Sequence, residues 1–86
     1  MATNPYSNPR PTWEEVINPL ADSTLWPFIR KAASLILEKR YEGTGFGISS
    51  SDVNHTVFGV AAWIDRDAPD YPGKVLTALV HEGAEI

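Results

Sequence analysis

Residues 24–41 read TLWPFIRKAASLILEKRY, and this stretch decides the fold class. Its apolar side chains recur every three to four positions, which is the period of one face of an α-helix. They are Leu25, Phe28, Ile29, Ala32, Leu35 and Ile36. Thr24 is a suitable helix N-cap, and Gly43 follows the pattern as a natural stop. The stretch therefore predicts a helix that is capped near Thr24, ends at Tyr41 and has an apolar arc wide enough to pack on two sides.

A shorter helix is predicted before this one. Thr12 and Glu15 have the spacing of a capping box, in which each residue satisfies a backbone N–H of the other. The apolar residues that follow again have a helical spacing, and they are Trp13, Val16, Ile17 and Leu20. Because Pro19 disfavours helical dihedral angles at Asn18, we expect a short or kinked helix from Thr12 to about Asn18.

A third helix is predicted after the glycine-rich connection. Its N-cap is one of the consecutive serines Ser49, Ser50 and Ser51. A helical period fits the apolar residues Val53, Val57, Val60 and Ile64. The same segment is rich in residues that favour β-structure, so a strand over residues 57–64 is the alternative.

The last part of the chain is predicted to be a loop followed by a fourth helix. Residues 65–73 combine prolines with three aspartates, a composition typical of loops. The apolar positions after the loop are Val75, Leu76, Leu79 and Val80. They predict a short amphipathic helix that Gly83 closes.

Together these elements predict an all-α fold, a compact bundle of about four short helices. Residues 1–11 contain Pro5, Pro9 and Pro11 and are predicted to form a flexible, Pro-rich N-terminal arm. Residues 12–86 are predicted to form a single small helical domain. The alternative is an α+β fold with strands near residues 57–64 and 74–80.

The composition excludes several kinds of chemistry. The 86 residues include no cysteine, which rules out disulfides, thiolate metal sites and thiol catalysis. Seven Lys/Arg against eleven Asp/Glu give a net charge of −4, whereas binding to nucleic acid needs clustered cations. No apolar run approaches the ~20 residues of a membrane helix and no signal peptide is recognisable, so we expect a cytoplasmic protein without a membrane partner.

No catalytic, cofactor or metal site is predicted. The glycines of residues 43–47 lack the lysine of a phosphate-binding Walker loop, and residues 65–70 lack the glycine and glutamate of a calcium loop. His55 and His81 do not have the spacing of metal ligands, and the serines near His55 have no evident base or oxyanion hole. We therefore expect a protein that is not an enzyme and that needs no cofactor.

The aromatic content is high for four short helices, and this predicts a surface that binds a partner. Aromatic residues dominate the energetics of protein interfaces, Trp and Tyr most of all. The predicted partner-binding residues are Trp26, Ala33, Leu37, Phe58 and Trp63. The first three share one edge of the central helix, and Phe58 lies off the apolar stripe of the third helix. We expect a symmetric dimer through one of these two places.

These observations favour a non-enzymatic protein–protein interaction module that self-associates or binds a larger protein target. A small acidic chain of this kind is typical of the inhibitors and adaptors that phages and mobile elements direct at host proteins. The alternative is a helix-turn-helix DNA-binding transcriptional regulator. The central helix, the glycine-containing turn and residues 48–54 have the order of that motif.

Overall fold

The computed structural model describes residues 11–86, which form four α-helices and no β-strand. The helices are α1 (Trp13–Ala21), α2 (Trp26–Tyr41), α3 (Ser50–Ala61) and α4 (Tyr71–Ala84). The all-α prediction is confirmed. The alternative α+β fold is wrong, because residues 57–61 lie in α3 and residues 74–80 lie in α4. The predicted arm, residues 1–11, lies outside the described residues except for Pro11.

The helix α1 starts where the sequence predicts, with one half of the predicted capping box, but it ends later than predicted. Thr12 Oγ1 accepts a hydrogen bond from the Glu15 backbone N–H at 3.2 Å and donates one to the Glu15 carboxylate at 3.0 Å. The helix continues through Pro19, so the predicted end near Asn18 is wrong. Pro19 removes only one backbone donor, whereas the continued turn places Leu20 in the core with no exposed surface.

The start of α2 lies slightly later than the sequence predicts. Its N-cap is Leu25 rather than Thr24, and no side chain caps this helix. Ser23 Oγ accepts a hydrogen bond from the Leu25 N–H at 3.0 Å. Pro27 lies in the first turn, where its missing N–H leaves no helical bond unmade. After the helix, Gly43 has a φ of 78°, the left-handed conformation that ends many helices.

A reciprocal capping box starts α3, as the run of serines predicts. Asp52 N–H donates to Ser49 Oγ at 3.0 Å, and Ser49 N–H donates to the Asp52 carboxylate at 3.2 Å. The helix ends at Ala61, before the end of its apolar pattern. Ile64 nevertheless packs against the core from the turn that follows.

The start of α4 differs most from the sequence prediction. The helix begins at Tyr71, inside the predicted loop of residues 65–73, and Gly83 lies within the helix rather than closing it. Asp70 explains the early start, because it caps the helix in a left-handed conformation with a φ of 58°. Its carboxylate accepts a hydrogen bond from the Gly73 N–H at 3.3 Å. An aspartate with a left-handed backbone conformation is uncommon, so a sequence pattern rarely predicts one.

The core has α2 at its centre, but its buried side is displaced from the predicted apolar face. Phe28 and Leu35 of that face are exposed, whereas Ala33 and Leu37 are buried. α2 makes its most extensive contacts with α4 and α3. The largest side chains with almost no exposed surface come from all four helices: Val16, Leu20, Ile29, Ile36, Val57, Val75 and Leu79. One buried hydrogen bond joins the first and last helices, since the Tyr71 hydroxyl of α4 donates to the Val16 carbonyl of α1 at 3.2 Å.

Candidate interaction surface

The side of α3 that points away from the core is the most distinctive surface of the molecule. Val53, Val57 and Ala61 face the core and are buried. The opposite side, together with one residue of α1, presents three aromatic rings, an imidazole and a bare stretch of backbone. We call this surface the α3 face, and it consists of Trp13, His55, Phe58, Gly59 and Trp63.

Stacked rings hold one half of the α3 face in place. The Trp13 and Phe58 rings are stacked, with centroids 5.1 Å apart and planes inclined by 23°. His55 also lies against Trp13, with ring centroids 5.0 Å apart. Phe58 is half-buried against the core, whereas Trp13 keeps 36% of its surface exposed. This half of the face is therefore both apolar and rigidly supported.

Trp63 dominates the other half of the α3 face. It follows the C-terminal end of α3, and its backbone N–H donates to the Val60 carbonyl at 3.3 Å. Its side chain is 90% exposed, more than any other large hydrophobic residue among those that the structure describes. A ring in this position adds no packing to the fold, and exposed apolar groups of this size mark surfaces that bind another molecule.

A groove runs beside Trp63 between α3 and the ends of α2 and α4. It has a volume of about 740 Å³. Apolar side chains of Leu37, Val60 and Ile64 line it. On the wall opposite Trp63, the Arg40 guanidinium donates to the Glu82 carboxylate at 3.1 Å. The groove thus combines an apolar lining with polar groups at its border, as pockets that receive a partner's side chain do.

Gly59 lies between the two halves of the α3 face, in the last turn of the helix. A Cβ added there would meet none of the described atoms within 4 Å. Glycine inside a helix destabilises it by roughly 0.5–1 kcal/mol relative to alanine. Contacts within residues 11–86 give no reason for this unfavourable residue. The position is open to a close approach from outside.

The hydrogen bonding of His55 does not favour serine chemistry. Its Nδ1 lies 2.8 Å from the Ser51 carbonyl oxygen. Because a carbonyl only accepts hydrogen bonds, Nδ1 is the donor in this contact. Ser51 Oγ lies 3.3 Å from the same nitrogen, which cannot act as its base. Across residues 11–86, no group of three or more His, Cys, Asp or Glu side chains is placed to hold a metal ion.

The structure brings together two of the five predicted partner-binding residues. Phe58 and Trp63 both belong to the α3 face. Trp26 is half-buried against the core, and Ala33 and Leu37 are 0% and 4% exposed. Trp26 and Ala33 therefore do not belong to the candidate surface, whereas the nearly buried Leu37 lines the groove beside Trp63. A helical pattern shows which residues share a side of α2, but it does not show that a neighbouring helix covers that side.

Three residues of the α3 face were not among those predicted to bind a partner. The sequence places Trp13 in the apolar stripe of α1, and it gives His55 no metal-ligand spacing. Of these three residues, Gly59 is the one that the sequence could best have indicated. A glycine within a helical pattern is unfavourable and often has a packing or functional role. Its solvent-facing position becomes evident only once the packing of α3 is known.

Most of the described cations are engaged in polar contacts. Arg30 donates to Ser50 Oγ at 2.8 Å and to Asn54 Oδ1 at 3.4 Å, at the beginning of α3. Three others pair with carboxylates: Arg40 with Glu82, Arg66 with Glu15 at 3.5 Å, and Lys39 with Glu42 at 3.6 Å. The beginning of α3, which would read bases in a helix-turn-helix protein, is thus occupied by contacts within the chain.

Comparisons with protein-family models, with curated proteins and with solved structures gave no match to this chain. In the part of the chain that the structure describes, no helix has both the length and the apolar character that crossing a membrane requires.

Proposed function

We propose that this protein is a non-enzymatic protein–protein interaction module that binds a larger protein target through the α3 face. The exposure of Trp63 beside the groove is the observation that carries the proposal. A tryptophan left 90% in water contributes nothing to the core. Burying such a ring against a partner releases ordered water from a large apolar area, which is the main source of interface affinity.

The arrangement of the α3 face supports the same proposal. Aromatic groups lie on both sides of Gly59, so a partner segment that crosses α3 there contacts rings on either side. The stacked pair of Trp13 and Phe58 is already ordered, and little side-chain entropy is lost when it is covered. The groove receives an apolar side chain, and the Arg40–Glu82 pair supplies polar contacts at its border.

We further propose that the protein acts in the cytoplasm as a small inhibitor or adaptor of the phage or mobile-element type. Its small size and the lack of any evident catalytic constellation in the sequence support this class. The helix-turn-helix alternative has less support, because Arg30 occupies the polar groups at the start of α3 and acidic partners offset three other cations.

Affinity capture with matched variants tests the proposed function. The full chain, Trp63→Ala and Phe28→Ala are each used to capture proteins from an extract of the cells that produce the chain. Phe28 is the control, because it is a 61% exposed aromatic residue of α2 outside the α3 face. We expect the same target with the full chain and with Phe28→Ala, and at least about tenfold less with Trp63→Ala.

Two results would contradict the proposed function. Equal capture by Trp63→Ala would show that the α3 face does not bind the target. Retention of duplex DNA that weakens steeply with salt, together with the absence of a protein target, would instead favour the DNA-binding alternative.

A further inference from the structure

We propose that the groove beside Trp63 binds residues 1–10 of the same chain, as an extended proline-containing segment that crosses α3 at Gly59. These ten residues lie outside the part of the chain that the structure describes. The docking stands without the proposed function. Its consequence rests on that function, because the segment and a protein target then compete for one groove.

The segment ends at the border of the groove. The described chain begins at Pro11 and enters α1 at Trp13. The Trp13 ring lies against the His55 ring, with centroids 5.0 Å apart, and His55 lines the groove. Residues 1–10 are thus tethered beside the site, and a short tether gives a binding segment an effective concentration in the millimolar range.

The segment is long enough to enter the groove. Trp13 stacks on Phe58, whereas the groove opens beside Val60, and these two residues of α3 lie on opposite sides of Gly59 around the helix axis. Tyr6 precedes Trp13 by seven positions, which is about 22 Å of extended chain at about 3.1 Å per residue. An α-helix with its side chains is only about 10–12 Å wide. Tyr6 therefore reaches across α3 into the groove.

The bare backbone at Gly59 provides the crossing point. A Cβ added there would meet none of the described atoms within 4 Å, so the space above this residue is open. Pro9 precedes Trp13 by four positions, which brings it to the crossing. Because proline has no backbone N–H, it lies on an apolar surface without losing a hydrogen bond to water. The crossing supplies the reason for Gly59 that contacts within residues 11–86 do not.

The side chains of the segment match the lining of the groove. Pro5, Tyr6 and Pro9 give it apolar rings and an extended backbone. Trp63 and Tyr41 supply aromatic rings among the residues that line the groove. Grooves lined by aromatic residues bind extended proline-containing segments, because the prolines fix the bound conformation in advance and little entropy is lost.

Charge also favours this occupant over a second copy of the folded domain. Arg10 is the only charged side chain of residues 1–10, whereas all eleven Asp/Glu and six of the seven Lys/Arg lie in residues 11–86. The domain is therefore acidic, and Asp52 lines the groove itself. An acidic surface attracts the cationic segment and repels a second acidic domain.

A spin label next to Tyr6 tests the docking in the full chain. Because the 86 residues include no cysteine, Ser7→Cys provides a single site for a nitroxide, which broadens the NMR signals of nearby protons. We expect the indole N–H of Trp63 and the backbone N–H of Val60 to lose about half of their intensity, since an effective concentration near the dissociation constant keeps about half of the segment docked. The backbone N–H signals of Phe28 and Leu35, exposed residues of α2 outside the groove, should keep theirs. The chain with the reduced label is the reference.

Variants of the labelled chain identify the contacts. Tyr6→Ala removes the ring from the segment, and Gly59→Gln places a side chain at the crossing point. We expect each change to reduce the broadening of the Val60 signal at least about threefold, because each weakens the docked state without altering the core. Asn4→Ala, a polar position of the same segment, is the matched control and is expected to change nothing. Broadening that persists in both Tyr6→Ala and Gly59→Gln overturns the docking.

A mixed sample distinguishes the segment of the same chain from that of a second copy. Spin-labelled chain without isotopes is mixed with unlabelled chain that carries nitrogen-15. We expect no selective broadening of the groove signals in the second species at low concentration. Broadening that passes between copies overturns the proposal, because the occupant then comes from another molecule. Equal broadening of the groove signals and of the α2 signals in the singly labelled chain overturns it as well.

The capture experiment separates this inference from the proposed function. With Tyr6→Ala as bait, we expect about twofold more target than with the full chain, because the groove is no longer shared. Trp63-dependent capture without selective broadening overturns the docking and leaves the proposed function standing. Selective broadening without any captured target supports the docking and contradicts the proposed function.

Discussion

The glycines of α3 and α4 lie in opposite surroundings. At Gly73, in the first turn of α4, an added Cβ would collide with the Asp70 carboxylate that caps the helix. At Gly59, in the last turn of α3, an added Cβ would meet none of the described atoms within 4 Å. The fold itself explains the glycine of α4. Contacts within residues 11–86 explain neither Gly59 nor the exposure of Trp63, which follows it.

The largest expected contrast between the two regions is in how much stability is lost when a large apolar side chain is removed. Leu79→Ala in α4 removes a side chain with no exposed surface, and we expect it to lower the free energy of unfolding by about 2–5 kcal/mol. Trp63→Ala removes a larger side chain, but we expect a change within about 0.5 kcal/mol, because the ring is in water. Urea unfolding of the dilute protein measures both. A loss of several kcal/mol for Trp63→Ala would show that its ring packs within the fold.

The next contrast concerns Gly73. We expect Gly73→Ala to destabilise the protein by about 1 kcal/mol, because the new methyl group displaces the Asp70 carboxylate from its capping position. Thermal unfolding provides the measurement, and Asp70→Ala serves as the control because it removes the same cap without adding a Cβ. If Gly73→Ala were instead as stable as the parent, the cap would not depend on the glycine.

Tyr71 extends the comparison to pH, because this residue at the start of α4 has a shifted pKa. Burial raises the pKa of the Tyr71 hydroxyl above its ordinary value of 10.0, and the positive charge of Arg66 acts in the opposite direction. The unfolded chain therefore loses this proton at a lower pH than the folded chain does. The stability that depends on the neutral hydroxyl is complete below about pH 10 and falls as the pH rises above it.

Tyr71→Phe tests this pH dependence. The substitution removes the hydrogen bond to the Val16 carbonyl, so we expect a loss of about 1 kcal/mol at neutral pH. It also removes the titrating group, so the fall in stability above about pH 10 should become shallower. Unfolding curves at several alkaline pH values measure both effects. An identical slope in Tyr71→Phe and the parent would assign the alkaline loss to other groups.

The smallest expected effect is the gain in stability when Gly59 of α3 is replaced by alanine. Gly59→Ala should raise the free energy of unfolding of the monomer by about 0.5–1 kcal/mol. Chemical denaturation at low protein concentration measures it without a contribution from association. A destabilised Gly59→Ala monomer would show that the backbone of α3 needs glycine for its own conformation, and the contrast with Gly73 would disappear.

The helices could be predicted from the sequence because their apolar residues repeat with the helical period. Local chemistry explains the capping box of Ser49 and Asp52 and the glycine that ends α2. Such features depend on neighbouring residues alone, so they can be recognised in the sequence. The end of α1 beyond Pro19 and the start of α4 at Asp70 could not be predicted in this way. In α1 the burial of Leu20 outweighs a local preference, and at Asp70 an uncommon backbone conformation begins the helix early.

The residues of the candidate interaction surface could be predicted only in part, for a different reason. Phe58 and Trp63 stand out because they are aromatic, and both belong to the α3 face. Trp26, Ala33 and Leu37 share an apolar side of α2 just as clearly, but the packing of the bundle covers that side. Which of two apolar sides is left open depends on how four helices fit together, and no single segment contains that information.

The glycine-containing connection between α2 and α3 has a practical consequence. Residues 42–49 are exposed throughout, and Phe46 projects 73% of its surface into solvent within them. Backbone of this kind is where a broad-specificity protease cuts first. A single nick there divides the chain into two fragments of two helices each, which the shared core holds together. The two fragments, produced separately, should reassemble on mixing and so convert the protein into a split reporter.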